Sequence, residues 1–155
     1  MLSRVDIAPF LKNRKRVWIA GGVNESSIAR FNGNFEALRT NRESLAKAAS
    51  AVMDHKAIPH ILKKDHDVCI IGTSGGEDAY YALAMGARHV MGVEMDPMIV
   101  KFVTEDYREY AGGLFTDGKY SDIAVDEGRS YLQRCGRQFD VIQQINNFTP
   151  IAFQN

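Results

Sequence analysis

"VCIIGTSGGEDAYYALAMGARHVMGVEMDP", residues 68–97, decides how this chain folds. The apolar run from Val68 to Ile71 meets a glycine cluster, then a short helical pattern, then a second apolar run closing on Glu94. A strand running into small residues, a helix and a second strand is the beginning of a nucleotide-binding crossover unit.

Working outward from there, the chain keeps alternating. "DPMIVKFVTEDYREY" reads as one helix, with Asp96 capping its first amides, Pro97 at the first helical position and Gly112 and Gly113 ending it. "SDIAVDE" alternates as a strand, "GRSYLQRC" gives a short helix and "FDVIQQI" a fourth strand. Strands alternating with helices imply a parallel sheet with helices on its faces, here in the order 3-2-1-4. Upstream, Leu45, Ala48, Ala49, Val52 and Met53 recur at helical spacing, and Pro59 closes that pattern. The first forty residues read as an antiparallel meander: residues 1–13 mostly irregular, then strands at "RVWIAGG", "SSIARF" and "FEAL" with a tight turn at Asn32–Asn34. The fold class is therefore α/β, a Rossmann-like parallel sheet of about four strands over 43–155, preceded by a small β-meander over 1–42.

The glycine cluster limits the ligand. Gly72, Thr73, Ser74, Gly75 and Gly76 are small enough to let a ligand approach the backbone, and the free amides of the next helix point at whatever lies there. A dinucleotide fingerprint wants a small residue at its sixth place; here that place is Glu77, which would repel a pyrophosphate. The glycine-lysine pair of a P-loop is absent. A ligand without phosphate suits these acids better, and S-adenosylmethionine, with its adenine, ribose, sulfonium and amino-acid tail, is one. Asp78 can take the ammonium of the tail or serve as a first-turn acid favoured by the helix dipole. Glu94, at the end of the neighbouring strand, can accept both ribose hydroxyl protons. Met95 can pack on the adenine face, and Asp126, Glu127 and Gly128 line the adenine end.

Composition adds boundaries. The 155 residues suffice for one domain, 45% apolar and 25% charged, as in ordinary globular proteins. Nineteen basic and nineteen acidic side chains cancel, so no overall field favours nucleic acid or an anionic membrane. The two cysteines, Cys69 and Cys135, have no metal-ligand spacing and read as reduced thiols. The four histidines, His55, His60, His66 and His89, read as surface or core-edge residues with no metal site. Without a signal peptide or an apolar span, the expected location is the cytoplasm.

Together "VCIIGTSGGED", "GVEMDP", "YAGGLF", "VDEGRSYL" and "FDVIQ" resemble the spermidine synthase family and its relatives among class I methyltransferases, over roughly residues 16–145. The closest likeness is to spermidine synthase-like domains of larger bacterial proteins. The resemblance implies a transferase of methyltransferase or aminopropyltransferase type, with S-adenosylmethionine or its decarboxylated form as cofactor and a small-molecule acceptor. Two positions depart from it. Gly75 stands where polyamine synthases carry an aspartate, and Ile145 stands where their catalytic aspartate lies, so a diamine would find neither charge partner nor base. A class I methyltransferase sheet has seven strands, and this chain supplies about four. The resemblance therefore implies part of a larger protein or a half-domain, whose bare fourth strand invites pairing with a second copy. A non-catalytic nucleoside-binding or interaction module is the alternative, and an NAD-dependent oxidoreductase a third reading.

Overall fold

The computed structural model describes residues 5–11, 14–19, 24–31, 33–40 and 56–144. Two sheets are present among them. The first is an antiparallel meander of β1 (Val5–Leu11), β2 (Arg14–Ile19) and β3 (Asn24–Ala29). The second is parallel, with β4 (Asp67–Ile71), β5 (His89–Glu94), β6 (Ser121–Val125) and β7 (Val141–Gln144) in the order β6-β5-β4-β7. This is the 3-2-1-4 order expected from the sequence. The helical pattern around residues 45–53 and the boundary at 42/43 lie outside the described residues.

The meander differs from expectation at both ends. Residues 5–11 form a strand, not an irregular lead-in. Its register against β2 shifts between Pro9 and Leu11, where proline brings no N–H to the ladder. "FEAL" is not a strand either; it opens helix α1 (Phe35–Thr40). Gly33 takes a positive φ of 78°, and the Asn34 side-chain oxygen accepts from Ala37 N at 2.9 Å. The asparagine thus starts a helix instead of a hairpin. Phe35 and Leu38, three apart, are both buried. Arg39 Nε donates to Ala87 O at 2.9 Å and Tyr120 hydroxyl to Glu36 Oε2 at 2.7 Å, which fix α1 against the parallel sheet's near end.

β4 is the centre of the core because it is apolar on both faces. Val68, Cys69 and Ile70 are all fully buried. Val68 and Ile70 pack with Ala79, Ala82 and Leu83 of α3 (Glu77–Ala84) and with Leu114 and Phe115. On the other face, Gly128 at the start of α5 (Gly128–Arg134) lies so close to Ile71 that any Cβ there would overlap its side chain. Burial pushes the Cys69 thiol up to about 11, and it and Cys135 are both free. β7 pairs only with β4 among the described residues and leaves Ile142 exposed.

The stretch expected as one long helix after Asp96 is interrupted. Asp96 does cap α4 (Pro97–Lys101) by accepting from Met98 N at 2.9 Å. The next turn, Phe102–Asp106, then widens into a π-helical turn, with Tyr107 N bonded to Phe102 O at 2.8 Å. Beyond it the Tyr110 carbonyl accepts from Phe31 N at 3.0 Å, and Gly112 and Gly113 adopt positive φ. A Cβ at Gly112 would stand 2.6 Å from Gly33 N and 2.8 Å from Phe31 O. Gly112→Ala should therefore cost about 3 kcal/mol, from a left-handed conformation and a backbone clash together. Urea denaturation would read it, and an unchanged midpoint would mean that the two turns do not pack.

Pro59 does not close a helix; it lies in the first turn of helix α2 (Ile58–Leu62). His60 and His66, expected at the surface or core edge, are 4% and 0% exposed. His60 Nδ1 and His66 Nε2 lie 2.7 Å apart. No helix among the described residues is long and apolar enough to cross a membrane.

Candidate functional site

The carboxyl ends of β4, β5 and β6 gather most of the residues singled out from the sequence. The turn after β4 is held down by β5: Gly72 N and Thr73 N both donate to Val93 O, at 2.8 and 3.3 Å. Ser74 follows in a left-handed conformation, φ 47°, and Gly76 at φ 83° precedes α3. Gly76 is small for two reasons: its φ, and a floor of side chains. A Cβ there would come within 2.6 Å of Leu114 Cδ2 and 2.9 Å of Phe115 Cε2. The "GGLF" segment thus supports the glycine turn from beneath, a role the sequence reading did not give it.

Glu94 points into this turn. It is 8% exposed, with Oε2 accepting from Ser74 N at 2.9 Å and Oε1 from Asp96 N at 3.0 Å. Burial raises its pKa, and the amides of Asp96, Ser74 and Met95 oppose that rise. Its four lone-pair sites outnumber these amides, so the carboxylate keeps acceptor capacity for a hydroxyl. Met95 beside it is 67% exposed, an apolar side chain with most of its surface uncovered. Thr73 Oγ1 and Ser74 Oγ are buried without hydrogen-bond partners among the described residues. Buried hydroxyls left unpaired cost about 1–3 kcal/mol each, so the turn carries unused polar capacity beside the acid. These features offer acceptors for a sugar and an apolar face for a base.

The other residues have structural duties. Asp126 N donates to Glu94 O at 3.0 Å, its Oδ1 accepts from Glu127 N, and its Oδ2 pairs with Arg134. Glu127 caps α5: its carboxylate accepts from Arg129 N, Ser130 N and the Ser130 hydroxyl, each at 2.9 Å, and these bonds lower its pKa. That cap was legible as an acid just before a helical pattern. Gly128 is explained by its contact with Ile71. Asp78 pairs with Lys56 Nζ at 3.2 Å, a partner the sequence did not suggest. Ile145 lies outside the described residues. A separate depression lined by Asn34, Glu36, Arg108, Thr116 and Asp117 adjoins Tyr120 at the amino end of β6, away from this site. Among the described residues no three histidine, cysteine, aspartate or glutamate side chains are grouped to hold a metal.

No family profile matches the chain. A polyamine aminopropyltransferase from Pectobacterium carotovorum subsp. carotovorum is 27% identical over 93 residues, covering 57% of this chain and 32% of the relative. Among solved structures, spermidine synthase from Thermotoga maritima superposes with a TM-score of 0.58 at 18% identity, covering 95% of this chain and 45% of that one. A spermidine synthase in complex with the transition-state analogue AdoDATO gives the same TM-score and identity, covering 92% and 43%. The chain spans about a third of the curated relative and less than half of either solved structure. With its parallel β6-β5-β4-β7 sheet and preceding meander, the chain has a spermidine synthase-like α/β fold.

Proposed function

We propose that this chain is the cofactor-binding part of a transferase, taking S-adenosylmethionine or its decarboxylated form across the carboxyl ends of β4, β5 and β6. The observation that carries this reading is Glu94: a buried carboxylate turned onto the glycine turn, anchored by two amides, with acceptor capacity left over. It would take the ribose hydroxyls, Met95 would lie on the base, and Asp126 with Glu127 would border the base's polar edge. The small residues from Gly72 to Gly76 would leave room for the 5′ side of the nucleoside. When bound, the sulfonium supplies a carbon activated toward nucleophiles; this chain's residues supply its orientation. With Gly75 and Ile145 at the positions where polyamine synthases carry aspartates, the chain has no assigned base for a diamine, and aminopropyl transfer by the chain alone is not expected.

Calorimetric titration tests this. S-adenosylmethionine and 5′-methylthioadenosine should bind, and NAD should not, because Glu77 stands where a dinucleotide fingerprint has a small residue beside the pyrophosphate. Binding of NAD, or of no adenosyl compound, would overturn the reading.

A further inference from the structure

We propose that the Lys56–Asp78 pair reads the amino-acid tail of the sulfonium nucleoside, so that this chain takes intact S-adenosylmethionine in preference to its decarboxylated form. This rests on the nucleoside site proposed above and specifies which ligand of that class fills it.

The placement follows from the strand order. Along β6-β5-β4-β7 the acids Asp126 and Glu127 follow β6, Glu94 ends β5 and the glycine turn follows β4. Lys56 stands beside β7, where its backbone carbonyl accepts from Gln143 Nε2 at 3.3 Å, and Asp78 is in the first turn of the helix that leaves the glycine turn. An adenosyl sulfonium is an unbranched sequence of base, ribose, sulfur and tail. With the ribose on Glu94 and the base toward β6, the 5′ carbon leads over the glycine turn and delivers the tail on the β4–β7 side. Lys56 and Asp78 form a charged pair there, 3.2 Å apart and about a quarter exposed each.

The two candidate tails differ in one group. Both carry an ammonium; only the intact cofactor adds a carboxylate beside it. Lys56 Nζ has three protons and spends one on Asp78, and Asp78 keeps its second oxygen; neither head group has another partner among the described residues. A zwitterionic tail can therefore place its ammonium on Asp78 and its carboxylate on Lys56, completing both. A decarboxylated tail brings only a cation to an acid that already has one, and the lysine repels it. An Asp78 that worked alone would favour the decarboxylated ligand, so the lysine is what reverses the preference.

The test measures three affinities for the wild-type chain and for Lys56→Met: S-adenosylmethionine, its decarboxylated form and 5′-methylthioadenosine, which has no tail charges. The wild type should prefer the intact cofactor by about tenfold, roughly 1.4 kcal/mol. Lys56→Met should turn that preference toward the decarboxylated form and leave methylthioadenosine unchanged. Asp78→Asn should weaken both tailed ligands and spare methylthioadenosine. A wild type that binds both tailed ligands equally, or prefers the decarboxylated one, overturns the proposal while leaving the nucleoside site standing. Equal weakening of all three ligands by Lys56→Met overturns it too, since the pair would then only tie residue 56 to α3. No binding of methylthioadenosine by the wild type removes the nucleoside site itself, and this proposal with it. If Lys56→Met fails to fold by circular dichroism, the wild-type affinity ratio and Asp78→Asn still decide the question.

Discussion

Glu94→Ala is expected to abolish adenosyl-ligand binding and to lower stability at the same time. Two losses combine. The ribose hydroxyls lose a charged acceptor, and hydrogen bonds to charged groups are worth about 1.5–3 kcal/mol each, so affinity should fall by a hundredfold or more. Ser74 N and Asp96 N lose the oxygens that now accept from them at 2.9 and 3.0 Å. Unsatisfied amides cost about 1–3 kcal/mol each, so a destabilisation of about 2–4 kcal/mol should accompany the loss of binding. Because a weakened fold alone could reduce binding, Glu94→Gln is the sharper variant. It keeps the volume and one acceptor oxygen but turns an NH2 toward an amide that is itself a donor. Its stability cost should be about 1–2 kcal/mol, while binding should still fall about a hundredfold, because the charge is gone. Titration calorimetry and urea melts on the same samples separate the two effects. A Gln variant that binds within a few-fold of wild type would remove Glu94 from the ribose. Binding should also be acid-sensitive. Burial raises the Glu94 pKa, so on acidification this carboxylate protonates before an ordinary one, and the acceptor is lost above the usual carboxylate range.

How much of this was legible in the sequence depended on whether the signal was local. "DVCIIG" and "HVMGVEM" could be read as strands because β4 and β5 are buried on both faces, which leaves unbroken apolar runs. The strand-end position of Glu94 followed from the strand it terminates. "FEAL" misled because four residues suit either a strand or a helix, and what decides is the Asn34 side chain reaching Ala37 N. The helix after Asp96 was read to its true start, since its cap is written in adjacent residues. Its π-helical widening at Phe102 was not legible, and neither was the contact of Phe31 and Gly33 with Tyr110 and Gly112 beyond it, since those partners come from a distant part of the chain. Lys56 was missed for the same reason. Its partner Asp78 belongs to another element, and no spacing rule links a turn before α2 to the first turn of α3.

The buried histidine pair predicts a second large effect, on stability against pH. His60 and His66 are held 2.7 Å apart in the core, which requires one ring nitrogen to donate and the other to accept. Two neutral rings satisfy that, and a first proton can still be accommodated, but two protonated rings put donor against donor. Burial, and then the charge of His66, push His60 down to about 4. Burial lowers His66 as well, against the opposing pull of Asp140, Asp65 and Asp67. A histidine whose pKa is lower in the folded state binds protons preferentially when unfolded. Stability is therefore complete above the ordinary value of 6.5 and is lost as pH falls from there toward 4. At about 1.36 kcal/mol per pKa unit, discounted for partial solvent screening, His60 should contribute a loss of about 2–3 kcal/mol by pH 4. Of the carboxylates with shifted values, two act below the upper part of this window and one opposes the histidines within it. Glu127 and Asp140 have lowered values, so their contributions vanish only below the ordinary carboxylate range. Glu94, with a raised value, acts in the opposite sense and favours the folded state on acidification. Urea midpoints measured from pH 7.5 to 5 should therefore fall steadily, and His60→Gln, which keeps a donor and an acceptor but cannot titrate, should flatten the slope by about half. A wild-type midpoint that stays level across that range would mean that the two rings take up protons as readily in the core as in the unfolded chain.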